Sequence, residues 1–209
     1  MKFIKQTFAF CLLLIVSPIS WSAENNISAW KLEIEEGRTK VHSRKVQGFE
    51  IDEIKGTTEI KTTVGELIAL YLDFDQCALW AVNCDKVTLI EELSENELNV
   101  YREIDNPWPV SNRDYYLHIN LSKNTASGET LIKFEDIKSI NTKNKGFVRS
   151  KMVKGFWKFA PSNDGLVEVT YQVHLDPGGD LSASLINSGI KQTPIDIFTA
   201  LKEKLEKSK

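Results

Sequence analysis

The chain has few of the residues that hold metals or move protons: among 209 residues there are three histidines, three cysteines and two methionines. His42, His118 and His174 fall in no metal-ligand spacing such as H-E-x-x-H, which argues against a zinc hydrolase. The strand alternation around His118 and His174 places both on outward faces. No serine sits in a G-x-S-x-G elbow, and no glycine-rich loop opens a helix after a strand. Gly178-Gly179 follows a strand but lacks a third glycine and reads as a turn. The adjacent acids Glu35-Glu36 and Glu91-Glu92 read as solvated faces or strand edges rather than a catalytic pair. The formal charge is −3, without the basic excess that nucleic-acid binding favours. Low-complexity segments, fixed-period repeats and Pro/Gly-rich linkers are all missing, so residues 24–209 read as one domain. Little here points to catalysis, to a cofactor or to a metal.

One apolar run stands out, at the start. Lys2 and Lys5 precede Phe8 to Ile19, small residues follow at Ser20, Ser22 and Ala23, and Glu24-Asn25-Asn26 begins a polar stretch. That is the layout of a secretory signal peptide over residues 1–23. The run is too short for a membrane anchor, which needs about 20 apolar residues. The expectation is export across the inner membrane and a periplasmic location. Losing Lys2 and Lys5 leaves 24 basic against 29 acidic residues, a net charge near −5.

Cys11 lies inside the leader, so only Cys77 and Cys84 remain. In an oxidising compartment such a pair is bridged more often than free. Seven residues of unbroken helix would separate the two Cα atoms by roughly 10 Å, whereas a disulfide tolerates no more than about 7 Å. A bridge therefore requires the helix to break between them; two free buried thiols are the alternative.

Periodicity supplies the elements. Trp30 to Ile34 reads as a short amphipathic helix ended by Gly37-Arg38. Lys40–Val46 and Ile51–Lys61 alternate as strands, Val64–Asp73 has helical spacing, and Asp75–Val82 reads as a second short helix. The period then becomes two over Val87–Leu93, Asn96–Ile104, Asp114–Leu121, Glu129–Ile137, Phe147–Val153 and Leu166–Leu175. Leu181, Leu185, Ile190, Ile197, Phe198, Leu201 and Leu205 form a terminal helical stripe, with a kink or fresh start at Pro194. Antiparallel strands segregated from helices mean an α+β fold. A long amphipathic helix across a curved sheet could cover its apolar face and leave a cavity.

The stretch Asn106-Pro107-Trp108-Pro109-Val110-Ser111-Asn112-Arg113-Asp114-Tyr115 resembles the signature of START domains, the steroidogenic acute regulatory protein-related lipid-transfer family. Trp30 with Gly37 to Arg44 is similar to the family's first helix and strand. Cys77-Ala78-Leu79-Trp80 with Cys84 resembles the cysteine-flanked tryptophan of bacterial members. Gly146 to Arg149 and Gly155-Phe156-Trp157-Lys158-Phe159 match later strands, and Val169-Thr170-Tyr171 with Asp176-Pro177-Gly178-Gly179 matches the last strand and its exit. The resemblance spans about Trp30 to Leu205. It implies a helix-grip fold: a curved antiparallel sheet around a long C-terminal helix, with a hydrophobic tunnel for one lipid. Two departures matter: Ser182 stands where many members have proline, and Ile119 stands where some sterol carriers place a charge. The second suggests a uniformly apolar cavity.

On this basis the ligand-binding candidates are Tyr115, Leu117, Ile119, Val148, Met152, Val169, Tyr171, Val173, Ile190, Ile197, Phe198 and Leu201. Tyr115 and Tyr171 are the polar ones; cavity wall and solid core share the same pattern, so each residue fits either. Trp80, Trp108 and Trp157 read as structural packing, and Arg113 and Asp114 as architectural. The expected partner is a lipid or other hydrophobic small molecule, bound by a monomer that touches a membrane surface transiently. Two rivals stand: a polyketide cyclase or aromatase-like enzyme of the same superfamily, and a non-catalytic envelope interaction module.

Overall fold

The computed structural model describes residues 28–137 and 144–207; the expected leader lies outside the described residues. Ten strands form one sheet: β1 (Lys31–Glu36), β2 (Thr39–Arg44), β3 (Glu53–Lys61), β4 (Cys84–Ser94), β5 (Glu97–Ile104), β6 (Asn112–Lys123), β7 (Thr130–Asp136), β8 (Phe147–Arg149), β9 (Met152–Pro161) and β10 (Leu166–Asp176). Their spatial order is β1-β2-β3-β10-β9-β7-β6-β5-β4, with β8 attached beside β6. Every pairing is antiparallel except β6 with β8.

The helices close one face. α1 (Val64–Leu72) starts at a capping box in which Thr63 Oγ1 accepts from the Glu66 amide and the Glu66 carboxylate accepts from the Thr63 amide. It passes into a 3₁₀ turn over Phe74–Leu79. At the other end, α2 (Ala183–Gly189) and α3 (Thr193–Lys207) replace one continuous helix. Ser182 caps α2 by accepting from the Leu185 amide at 3.3 Å. Pro194 opens the first turn of α3, where its missing N–H has no intrahelical partner to lose. The buried stripe of α3 is Pro194, Ile197, Phe198, Leu201 and Leu205. Among the described residues no helix is long and apolar enough to cross a membrane.

Two glycines set how closely the layers meet. A Cβ on Gly56 of β3 would lie 2.5 Å from Pro194 Cβ and 2.9 Å from the Phe198 ring, so α3 rests on bare backbone there. On Gly155 of β9 it would meet the Gln172 carbonyl oxygen at 2.2 Å and the Phe134 ring at 2.6 Å. The core inside this grip is aromatic around Trp157, whose ring centroid lies 4.5 Å from Tyr171, 5.9 Å from Trp80 and 6.3 Å from Phe198.

Four sequence expectations need correction. Lys31–Glu36 is a strand, not a helix: six residues are too few to hold a helix alone, and pairing with β2 satisfies their backbone across the Gly37-Arg38 turn, with Gly37 at φ +58°. Phe147–Val153 is two strands, since Ser150 and Lys151 break the run and β9 continues to Pro161. His174 is fully buried: it does face away from the helices, but Phe49 covers it edge-on at 4.6 Å and its Nε2 meets the Ile51 carbonyl at 3.1 Å. Trp108, expected to pack, is 93 % exposed.

Candidate functional site

A pocket of about 210 Å³ lies between the concave face of the sheet and the helices. Its wall begins with alternation. Tyr115 and Leu117 on β6 and Tyr171, Val173 and Leu175 on β10 project inward, while Tyr116, His118 and Gln172 face the other way. α1 contributes Tyr71, and α3 contributes Thr193 and Ile197. The remaining stretch, Trp80 to Asn83, leaves the 3₁₀ turn and runs to β4.

That stretch is held by a disulfide between Cys77 and Cys84, with Cα atoms 5.8 Å apart. The chain satisfies the geometric condition by abandoning helix after Leu79 and taking Asn83 through φ 54°.

Of the sequence candidates, Tyr115, Leu117, Tyr171, Val173 and Ile197 line the pocket. Ile119, Val169 and Phe198 are buried in the core beside it and do not line it. Leu201 borders a void of about 10 Å³ that shares Tyr71, Trp80 and Trp157 with the main pocket. Ile190 belongs to a separate small cluster with Val41 and Ile54. Val148 contacts the turn at Gly178 and Gly179, away from the wall, and Met152 is half-buried off it as well. Strand alternation found the inward face but could not say how far along each strand the pocket runs.

Arg113 and Asp114 are both buried, on opposite sides of β6. Arg113 donates to the Ser111 carbonyl and, at 3.4 Å, to the Gly178 carbonyl, tying β6 to the turn after β10. Asp114 takes a two-pronged bond from Arg149, at 2.7 and 2.9 Å, and a third from the Tyr101 hydroxyl at 3.0 Å. The pairing follows from the parallel register that sets Asp114 opposite Arg149.

The sequence reading missed Arg102. It sits on β5 opposite Tyr115, between the inward residues Val100 and Ile104, and lines the pocket. Its Nε is buried without a hydrogen-bond partner. The signal was present in the alternation of β5, but a half-buried arginine in a strand more often reaches solvent. The pocket is therefore not uniformly apolar, contrary to what Ile119 suggested. Burial pushes the Tyr171 phenol up to about 12, and the same desolvation raises Tyr71 and Tyr115, so all three stay protonated; the Arg102 charge offsets this in each. Among the described residues no aspartate, glutamate or histidine lines the pocket, and no cluster of ligands for a metal ion forms.

The comparisons agree with this architecture. A protein of Pseudomonas aeruginosa, itself uncharacterized, is 33 % identical over 178 residues, covering 85 % of this chain and 87 % of its own length. Human ceramide transfer protein is 26 % identical over 184 residues, 78 % of this chain but only 29 % of that protein. Among solved structures, a STAR-related lipid transfer protein fragment from Xanthomonas axonopodis superposes with a TM-score of 0.78 at 29 % identity, over 86 % of this chain and 99 % of that one. Human STARD10 shares the fold, at a TM-score of 0.75 and 18 % identity, over 83 % of this chain and 71 % of that one. The START domain family model matches residues 22–209 of the sequence, and the chain belongs to the START domain family.

Proposed function

We propose that this protein binds one lipid or other hydrophobic small molecule in the pocket beneath α3, as a periplasmic carrier or sensor rather than an enzyme. The observation that carries the reading is the pocket itself, walled mainly by aromatic and aliphatic side chains from the sheet, α1 and α3. Ligand sites have this make-up, mostly apolar with a few placed polar groups. The names of the ceramide transfer and STAR-related lipid transfer relatives support it by analogy. At about 210 Å³ the pocket is smaller than the roughly 300–1,000 Å³ usual for drug-sized ligands. An extended chain therefore needs Tyr71, Trp80 and Trp157 to turn aside and join the pocket to the void beneath Leu201.

Catalysis has less support. General acid–base work needs a group that gains or loses a proton near the working pH. The lining offers Arg102 and three phenols held protonated, and no carboxylate or imidazole. The interaction-module reading has one observation in its favour, the half-exposed Leu89, Ile90 and Leu93 on edge strand β4, but the pocket gives it no role.

Native mass spectrometry of the mature protein purified from its own envelope, followed by extraction, tests the proposal. A stoichiometric lipid supports it and names the ligand class. A protein that comes out empty and takes up no lipid from vesicles overturns it.

A further inference from the structure

Resting on the ligand-binding reading above, we infer that the pocket selects an amphiphile whose head is an oxyanion, a carboxylate or a phosphate, with Arg102 as its counter-ion. The case is one of hydrogen-bond and charge balance. Among the described residues Arg102 is the only side chain of the pocket wall that carries full charge at neutral pH, and no acidic residue shares the wall with it. Arg102 is half-buried, and a charge drawn partly out of water loses hydration that an opposite charge would replace. Among the described residues Arg102 has no ion-pair partner, and its Nε–H is sealed from solvent without an acceptor.

A second donor is stranded in the same wall. The Trp80 indole N–H is also buried without an acceptor, and indole is a donor only. Tyr71, Tyr115 and Tyr171 line the pocket too, and no protein acceptor holds their hydroxyls among the described residues. Burial raises all three phenols, and Arg102 acts on each of them, so the cation lies within the field of the whole group. Asn83 and Asn106, the pocket's side-chain amides, are bonded to each other at 3.3 Å. Two N–H donors of the wall, on Arg102 and Trp80, thus lack an acceptor, and one of them belongs to a cation. An oxyanion presents several lone pairs and the opposite charge, and guanidinium meets it with two parallel N–H bonds. A neutral hydroxyl or amide head would leave Arg102 unpaired.

The test measures binding of a saturated fatty acid and a lysophosphatidate against the alcohol and monoacylglycerol of equal chain length, using tryptophan fluorescence of the full mature protein. The wild type is expected to bind both anions at least about tenfold more tightly, the fold-change a charged hydrogen bond supplies. Arg102→Met should abolish that preference, bringing anionic and neutral ligands of equal chain length to the same affinity; Arg102→Lys should keep part of it. Trp80→Phe should weaken the anions more than the alcohols. Equal binding of anions and neutral partners by the wild type overturns the inference even if Arg102→Met fails to fold. A preference that survives in Arg102→Met overturns it as well. Inorganic phosphate bound as tightly as lysophosphatidate would show a free-anion site and also overturn it. Neutral amphiphiles bound as well as anions sink the head-group claim alone, whereas no binding of any amphiphile sinks the carrier reading with it.

Discussion

The disulfide between Cys77 and Cys84 closes a loop whose four consecutive residues Trp80, Ala81, Val82 and Asn83 form one stretch of the pocket wall. The bridge thus fixes a segment with little regular structure against the aromatic cluster, where Trp80 lies 6.0 Å from Tyr71 and 5.9 Å from Trp157. Closing so short a loop stabilises a fold by about 2–3 kcal/mol in the chain-entropy account. Cys77→Ala/Cys84→Ala should therefore unfold at lower denaturant by about that amount. Because the freed residues are pocket residues, ligand affinity should fall further than stability alone requires. Equal affinity for wild type and double variant, measured well below the unfolding transition, would show that the bridge serves stability only.

The seat of α3 on β3 gives a second prediction. Gly56→Ala places a methyl group 2.5 Å from Pro194 Cβ and 2.9 Å from the Phe198 ring, so the helix must lift or the strand must bend. Overpacking of this kind costs about 1–3 kcal/mol. The variant should lose stability in that range, and hydrogen exchange should quicken first in α3. Loss spread evenly over sheet and helix would argue against a local wedge.

Trp108 yields a prediction about membranes. Its indole is almost wholly exposed on the turn between β5 and β6, two residues from Asn106 in the pocket wall. Tryptophan belongs at the boundary of lipid and water, where the ring is apolar and the N–H stays wet. Trp108→Ala should slow ligand transfer between vesicles several-fold and leave equilibrium affinity and thermal stability unchanged. Transfer at the wild-type rate would remove Trp108 from the docking step.

How much of this was legible beforehand depended on the range of the interaction. The alternation along Val167 to Leu175 located β10 and its inner face, because a strand's period survives wherever one face is buried. The cysteine spacing foretold a break in the helix. Pairing across the sheet was not legible. Arg113 and Asp114 read as a unit, yet neighbours on a strand point to opposite faces, and the partner of Asp114 is Arg149, 35 residues along the chain. His174 faced outward as alternation required, but no local pattern tells that the loop carrying Phe49 and Ile51 folds over it. Arg102 was overlooked for the same reason: a strand's period gives the side on which a charge lies but not the depth of what it faces.

The last prediction concerns acid. Glu33 on β1 accepts from Lys191 at 2.9 Å and from the Ser43 hydroxyl at 2.8 Å, joining the edge of the sheet to the short link between α2 and α3. Lys191 is the main cause, followed by Ser43, of a Glu33 carboxyl held near 2 instead of 4.5. A carboxylate whose folded value is depressed stabilises the fold above its unfolded value and ceases to do so as pH falls through the folded one. Both partners keep some access to water, so the contribution at neutral pH is set on the order of 1 kcal/mol. Denaturant unfolding of wild type and Glu33→Gln should thus differ by about that much at neutral pH, and the gap should close between pH 4.5 and about 2. In a Lys191→Met background the Glu33 substitution should cost less, because only the more exposed Lys31, at 3.1 Å, still answers its charge. A gap that persists at the lowest pH would assign the effect to the Ser43 hydrogen bond, and the link ahead of α3 would then owe little to charge.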